Sequence, residues 1–92
     1  MAHEFPLVYI EWVDSRAIGR GWTLTDEIKS TPMICHSIGW LYQEFEESIM
    51  IVPHFAEDPE QCNGGLEIPK CSIRKTVGVQ LIPEKRKTSK KK

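Results

Sequence analysis

The stretch MICHSIGWLYQEF (residues 33–45) decides the fold, because it is an apolar run with a glycine near its middle. With a period of two, one face carries Ile34, His36, Ile38, Trp40 and Tyr42, and the other carries Met33, Cys35, Ser37, Gly39 and Leu41. The second face is mostly small, which predicts a strongly curved strand with Gly39 at the bend. Gly39 has a second possible role, which is to give a ligand close access to the backbone.

The flanking sequence predicts four more short strands. They cover residues 7–14, 48–55, 66–69 and 74–82. Thr25 and the acids after it favour one short helical turn, and KCSI (residues 70–73) favours a single 3₁₀ turn. Asn63-Gly64 indicates a tight turn, and the residues before it, 56–62, indicate a loop. The predicted fold class is mainly β, a small five-stranded SH3/Sm-like barrel with one short helical turn, formed by residues 1–84 as a single domain.

The composition is typical of a soluble globular protein, with 40% hydrophobic and 27% charged residues in a chain of 92. No apolar stretch approaches the roughly 20 residues that span a bilayer. The first residues, MAHEFPLVYIEW, lack a basic segment followed by an apolar one, so no signal peptide is expected. An odd count of three cysteines argues against a disulfide framework. We therefore expect a cytoplasmic protein with no membrane partner.

The charge is distributed unevenly along the chain. Of 12 basic and 13 acidic residues, the last eight residues, KRKTSKKK, hold six basic and no acidic ones, which leaves six basic and 13 acidic residues (net −7) in residues 1–84. Like-charge tails are usually disordered, so a disordered basic tail is predicted for residues 85–92. The tail is expected either to keep the protein soluble or to bind RNA loosely.

Two resemblances extend this interpretation. The segment GGLEIPKCSIRKTVGVQLI (residues 64–82) resembles the strand, 3₁₀ turn and strand that end Sm-like (Hfq-type) β-barrels, although the RNA-contact motifs of that group are not seen. Over roughly residues 8–75 the chain also resembles small uncharacterised bacteriophage proteins. The shared residues are VYIEWVDS, a following GW, CHSIGWLYQE, IVPH and GGLEIPKCSI. This resemblance implies a phage accessory protein that works in the host cell, in host takeover or counter-defence.

No catalytic or metal-binding signature is present. Cys35 and His36 are adjacent, so they point to opposite faces of a strand, and the other Cys and His residues are irregularly spaced, unlike the paired ligands of structural zinc. There is neither a nucleophile-elbow motif nor a phosphate-cradling loop. We expect no enzyme activity, no metal and no cofactor.

Aromatic and polar residues near strand ends form the candidate ligand site. Indoles near strand ends can stack on a base, and arginines can pair with phosphates. The candidate ligand-binding residues are Trp12, Asp14, Ser15, Arg16, Arg20, Trp22, Ser37 and His54. Trp12 and Trp40 have an alternative role as part of the core of a small barrel, and this alternative stays open.

The leading hypothesis is a non-catalytic, homo-oligomeric, phage-type protein that sequesters a small nucleotide-like ligand. One rival is an Sm-like RNA-binding ring that uses the basic tail. Another is an inhibitor that binds a host protein through a surface patch.

Overall fold

The computed structural model describes residues 5–19 and 21–84 and shows a mainly β fold, which confirms the predicted class. Arg20 and the basic tail at 85–92 lie outside the described residues. In chain order the strands are β1 (Leu7–Asp14), β2 (Met33–Glu44), β3 (Ser48–Val52), β4 (His54–Glu57), β5 (Glu60–Asn63), β6 (Leu66–Pro69) and β7 (Ile73–Gly78). Two 3₁₀ turns occupy Thr25–Glu27 and Lys70–Ser72.

The strands form two antiparallel sheets. The main sheet has five strands in the order β6-β3-β2-β1-β7, and β4 and β5 form a separate hairpin. The long strand β2 lies in the centre, where it pairs with β1 from Leu7↔Trp40 to Asp14↔Met33 and with β3 from Trp40↔Val52 to Glu44↔Ile49. Its central position explains why its two faces decide the packing on both sides of the sheet.

The prediction was wrong about residues 48–63. A single third strand was expected over residues 48–55, but Pro53 has no N–H to continue the ladder, and the chain leaves the main sheet there. The predicted loop at 56–62 belongs instead to the β4–β5 hairpin, which turns at Asp58-Pro59. Asn63 ends β5, and Gly64, at a φ of 78°, starts the link to β6.

The main core lies on the inner face of the curved sheet. It consists of the buried side chains Val8, Ile10, Ile49, Ile51 and Ile68, from strands β1, β3 and β6. Strands β1 and β3 lie on opposite sides of β2, so their side chains meet only if β2 places little volume between them. The small face of β2 was predicted to be the concave one, and its buried Gly39 and half-buried Ser37 do face this core.

Gly39 is where β2 and β3 come closest. A Cβ atom built on it would lie 3.1 Å from the carbonyl oxygen of Val52 and 3.3 Å from the Cβ of Ile51. The neighbouring strand therefore fills the space that a side chain would need. Packing, and not ligand access, accounts for this glycine. The β2–β3 register also shifts between Leu41 and Gln43, so the strand is irregular just beyond this contact.

A second apolar cluster lies on the outer face of the sheet. Phe55 of the hairpin stacks on Phe5 with ring centroids 5.5 Å apart and meets the edge of Trp40 at 5.9 Å. Tyr42 also contacts both phenylalanine rings, at 5.3 and 5.9 Å. The hairpin thus covers the outer face at the C-terminal end of β2.

The contact at Gly39 predicts a difference between two glycines. Gly39→Ala should lower the free energy of unfolding by about 1–3 kcal/mol, because the new methyl group overpacks against a hydrogen-bonded strand. Gly78→Ala is the matched control, since a Cβ there meets nothing within 4 Å. It should be neutral or slightly stabilising. Urea unfolding of both variants measures this, and equal losses would contradict the packing role of Gly39.

Candidate functional site

Trp12 and Ser37, two of the predicted ligand-binding residues, contact each other. The half-buried indole of Trp12 packs against the inner core, and its Nε1–H donates a hydrogen bond of 3.1 Å to the Oγ of Ser37. Since the polar group of the indole is already satisfied, Trp12 fits the role of a core residue. Trp40 is also engaged, in the aromatic cluster of the outer face.

The remaining predicted residues concentrate in the loop between β1 and β2, which we call the β1–β2 loop (residues 15–32). Asp14 pairs with Met33, so the two legs of this loop start side by side at the end of the sheet. At its base the Oδ1 of Asp14 accepts a hydrogen bond of 2.7 Å from the backbone N–H of Ser15. The chain reverses near Gly21, whose φ of 86° favours glycine.

An open groove lies between the two legs of this loop, which we call the loop groove. One leg contributes Arg16 and Ile18 to its walls, and the other contributes Ile28, Lys29, Ser30, Thr31 and Pro32. Its volume is about 390 Å³. The two isoleucines and the proline make the walls partly apolar, while Arg16 and Lys29 supply two positive charges and Ser30 and Thr31 supply hydroxyl groups.

The structure separates the other predicted residues from this groove. Trp22 does not line the groove, and its relative exposure of 104% places its side chain in solvent. His54 lies on the β4–β5 hairpin, opposite Asn63. Arg20 is outside the described residues. Of the seven candidates that the structure describes, Arg16 alone lines the groove, and Asp14 and Ser15 lie at the start of the β1–β2 loop.

Sequence reasoning missed Lys29, Ser30 and Thr31. A partial signal was present, because both legs of the loop leave the sheet together at Asp14 and Met33. Residues shortly after β1 and shortly before β2 therefore start on opposite legs of the same loop. Beyond Asp14 and Met33 no strand pairing fixes which of these residues face each other, so the sequence pattern alone did not identify the groove.

A second cavity, of about 310 Å³, lies against the inner core. Its walls are mainly the aliphatic side chains of Val8, Ile10, Leu41, Ile49 and Ile73. The cation that lines it, Lys70, is paired with Glu44 at 2.9 Å. Because that charge is neutralised, this cavity is less suited than the loop groove to an anionic ligand.

Residues 5–19 and 21–84 contain no group of three or more His, Cys, Asp or Glu side chains placed to hold a metal ion. They also contain no helix of sufficient length and apolar character to cross a membrane. Comparison of the chain with protein-family models, with curated proteins and with solved structures finds no match in any of the three.

The Trp12–Ser37 bond gives a prediction about stability. Ser37→Ala should lower the free energy of unfolding by about 1 kcal/mol, because it leaves the half-buried indole N–H without its acceptor. Ser15→Ala is the control, since the Ser15 side chain is exposed and only its backbone N–H is bonded. It should change stability by no more than about 0.5 kcal/mol. Unfolding monitored by tryptophan fluorescence measures both, and an unchanged Ser37→Ala variant would contradict the assignment of Trp12 to the core.

Proposed function

We propose that this protein is a non-catalytic binding protein for a small anionic, nucleotide-like ligand, which it holds in the loop groove. The observation that carries the proposal is that Arg16 and Lys29 line the same groove as the apolar side chains of Ile18, Ile28 and Pro32. A phosphorylated ligand with an apolar, planar part needs both kinds of surface. The volume of about 390 Å³ lies within the range of small-molecule sites.

The charges of the groove favour an anion. Among the residues that the structure describes, neither Arg16 nor Lys29 is paired with a carboxylate. By contrast, Lys70 is paired with Glu44 and Arg74 lies 3.6 Å from Glu11. The guanidinium of Arg16 can bind a phosphate through two parallel hydrogen bonds, and Lys29 adds a point charge. The hydroxyl groups of Ser30 and Thr31 can bond sugar or phosphate oxygens.

The lining of the groove supports binding without catalysis. Among residues 5–19 and 21–84, those that line the groove include no His, Cys, Asp or Glu, which are the usual general bases and nucleophiles. Ser30 and Thr31 have no such base beside them in the lining. Sequestration of a ligand requires only affinity and slow release, so it matches this set of side chains.

The biological setting follows from the resemblance to phage proteins. We propose that the ligand is a signalling nucleotide of the infected host and that its capture weakens host defence, with the protein acting in the host cytoplasm as a homo-oligomer. The proposal includes no cofactor and no membrane.

A second candidate is an Sm-like RNA-binding ring. One observation favours it: β6, the 3₁₀ turn at Lys70–Ser72 and β7 follow one another along the chain, which is the strand, 3₁₀ turn and strand that the resemblance to Sm-like barrels implies. On this reading the main sheet is a small SH3/Sm-like barrel, and the basic tail at 85–92 contacts RNA.

Titration of the full chain with adenosine monophosphate, adenosine and inorganic phosphate in a calorimeter tests the leading proposal. The nucleotide should bind more tightly than either fragment, because only it uses both the apolar and the charged parts of the groove. Arg16→Ala should weaken nucleotide binding by at least about tenfold, the loss expected for a charge-assisted hydrogen bond. Arg74→Ala is the matched control, because Arg74 is an exposed arginine of β7 outside the groove.

Removal of residues 85–92 separates the two candidates. A groove binder should retain its nucleotide affinity after this truncation. An RNA-binding ring should lose affinity for single-stranded RNA and lose much of its salt dependence, since phosphate neutralisation supplies both. The groove assignment would be overturned if Arg16→Ala and Arg74→Ala weakened nucleotide binding equally. It would also be overturned if adenosine monophosphate, adenosine and inorganic phosphate all failed to bind. Binding of a host protein by the wild-type chain and not by small ligands would instead favour the inhibitor hypothesis.

A further inference from the structure

The two central strands of the main sheet are apolar on both faces. On the outer face β1 carries Leu7, Tyr9 and Val13, and β2 carries Ile34, Ile38 and Trp40, as their register shows. One face of an antiparallel sheet is commonly in solvent and polar, so exposed apolar side chains there indicate a surface that binds a partner. The β4–β5 hairpin covers this face where Phe55 contacts Trp40 and Tyr42. Away from these contacts the outer face is partly exposed to solvent.

The uncovered region is centred on one cross-strand row, Val77–Tyr9–Ile38, which we call the open face. Ile38 is 59% exposed and Val77 is 43% exposed, although both flank the central strand β1. Beside this row, Glu11 pairs across the strands with Lys75 on one side and His36 on the other. The open face is therefore an apolar strip that is bordered by charged and polar side chains.

The β1–β2 loop carries a matching set of apolar side chains that have no cover either. Trp22 is 104% exposed and Leu24 is 65% exposed. They follow the chain reversal at Gly21 and precede the 3₁₀ turn Thr25–Glu27, whose Asp26 and Glu27 are exposed. We call Trp22, Leu24 and these two acids the loop tip.

We propose that two copies of this chain associate reciprocally, with the loop tip of each copy packed on the open face of the other. Each chain supplies both halves of the contact, as a two-fold symmetric interface requires. The charges also match: Asp26 and Glu27 follow the apolar tip, while Arg74 and Lys75 border the open face. The Arg74 side chain is 54% exposed and available to a second acid.

The apolar side chains set the scale of this contact. An aromatic side chain such as Trp22 buries about 150–250 Å² when it is covered, so the two copies of Trp22 together bury about 300–500 Å². Leu24, Ile38 and Val77 from each copy add to this area, and the contact has the size of a small specific interface, on the order of 1,000 Å². The proposal does not depend on the ligand of the loop groove, because neither Trp22 nor Ile38 lines that groove.

Light scattering coupled to size-exclusion chromatography of the full chain tests the proposal. The molar mass measured for the wild type should be twice the 10.6 kDa mass of the chain. Ile38→Glu and Trp22→Ala should each raise the dimer dissociation constant by at least about 30-fold, since both side chains are central anchors of the contact. Leu81→Glu is the matched control, because Leu81 is 76% exposed but lies beyond β7, outside both surfaces. It should leave the dimer intact.

Two further measurements distinguish loss of the dimer contact from loss of folding. Circular dichroism should show unchanged strand content in every variant. If Ile38→Glu fails to fold, Val77→Lys takes its place in the test. A double-mutant cycle on the dissociation constant should show that Trp22→Ala has little added effect in the Ile38→Glu background, because the two side chains lose one shared contact. The proposal would be overturned if the wild type were a monomer or formed an assembly larger than two copies. It would also be overturned if Ile38→Glu left the dimer unchanged, or if the effects of Trp22→Ala and Ile38→Glu were additive in the cycle.

Discussion

The close approach of β2 and β3 at Gly39 is the constraint on which the rest of the structure depends. A Cβ on Gly39 would lie 3.1 Å from the Val52 carbonyl oxygen, so any larger residue would press the two strands apart by a few tenths of an ångström on the inner face. The sheet can then curve so that residues of β1, β3 and β6, such as Ile10, Ile51 and Ile68, form one core. A chain of 92 residues has little volume to bury, so this curvature is its main means of making a core.

The same geometry explains why function is expected on the surfaces that the core and the aromatic cluster leave exposed. The inner face is used by the core and by the Trp12–Ser37 bond, and the aromatic cluster uses the outer face near Trp40. What remains is the open face and the β1–β2 loop, where charged and apolar side chains are exposed together. Both proposals concern this region, but they use different residues: Arg16 and Lys29 for a ligand, and Trp22 and Ile38 for a second copy.

Much of the fold was predictable from local pattern, and less of the site was. The alternation of large and small residues in β2 predicted that its small face has little room, and that face does lie toward the core, because side-chain period and burial are tied together in a strand. The β4–β5 hairpin was missed, since its polar sequence EQCN carries no apolar alternation and all four residues are exposed. The site was harder still: whether Trp12 is core or ligand contact depends on where Ser37 lies, and residue types alone do not determine that distance.

Native mass spectrometry of the full chain, purified from bacteria under gentle conditions, tests the central claim most directly, namely that the exposed region is completed by binding. The account predicts a species of two copies, each with the retained mass of one nucleotide-like molecule. A two-copy species without added mass would support the open face and count against the loop groove. A single copy with no added mass would contradict the account, because neither the exposed Trp22 nor the groove that Arg16 and Lys29 line would then bind anything.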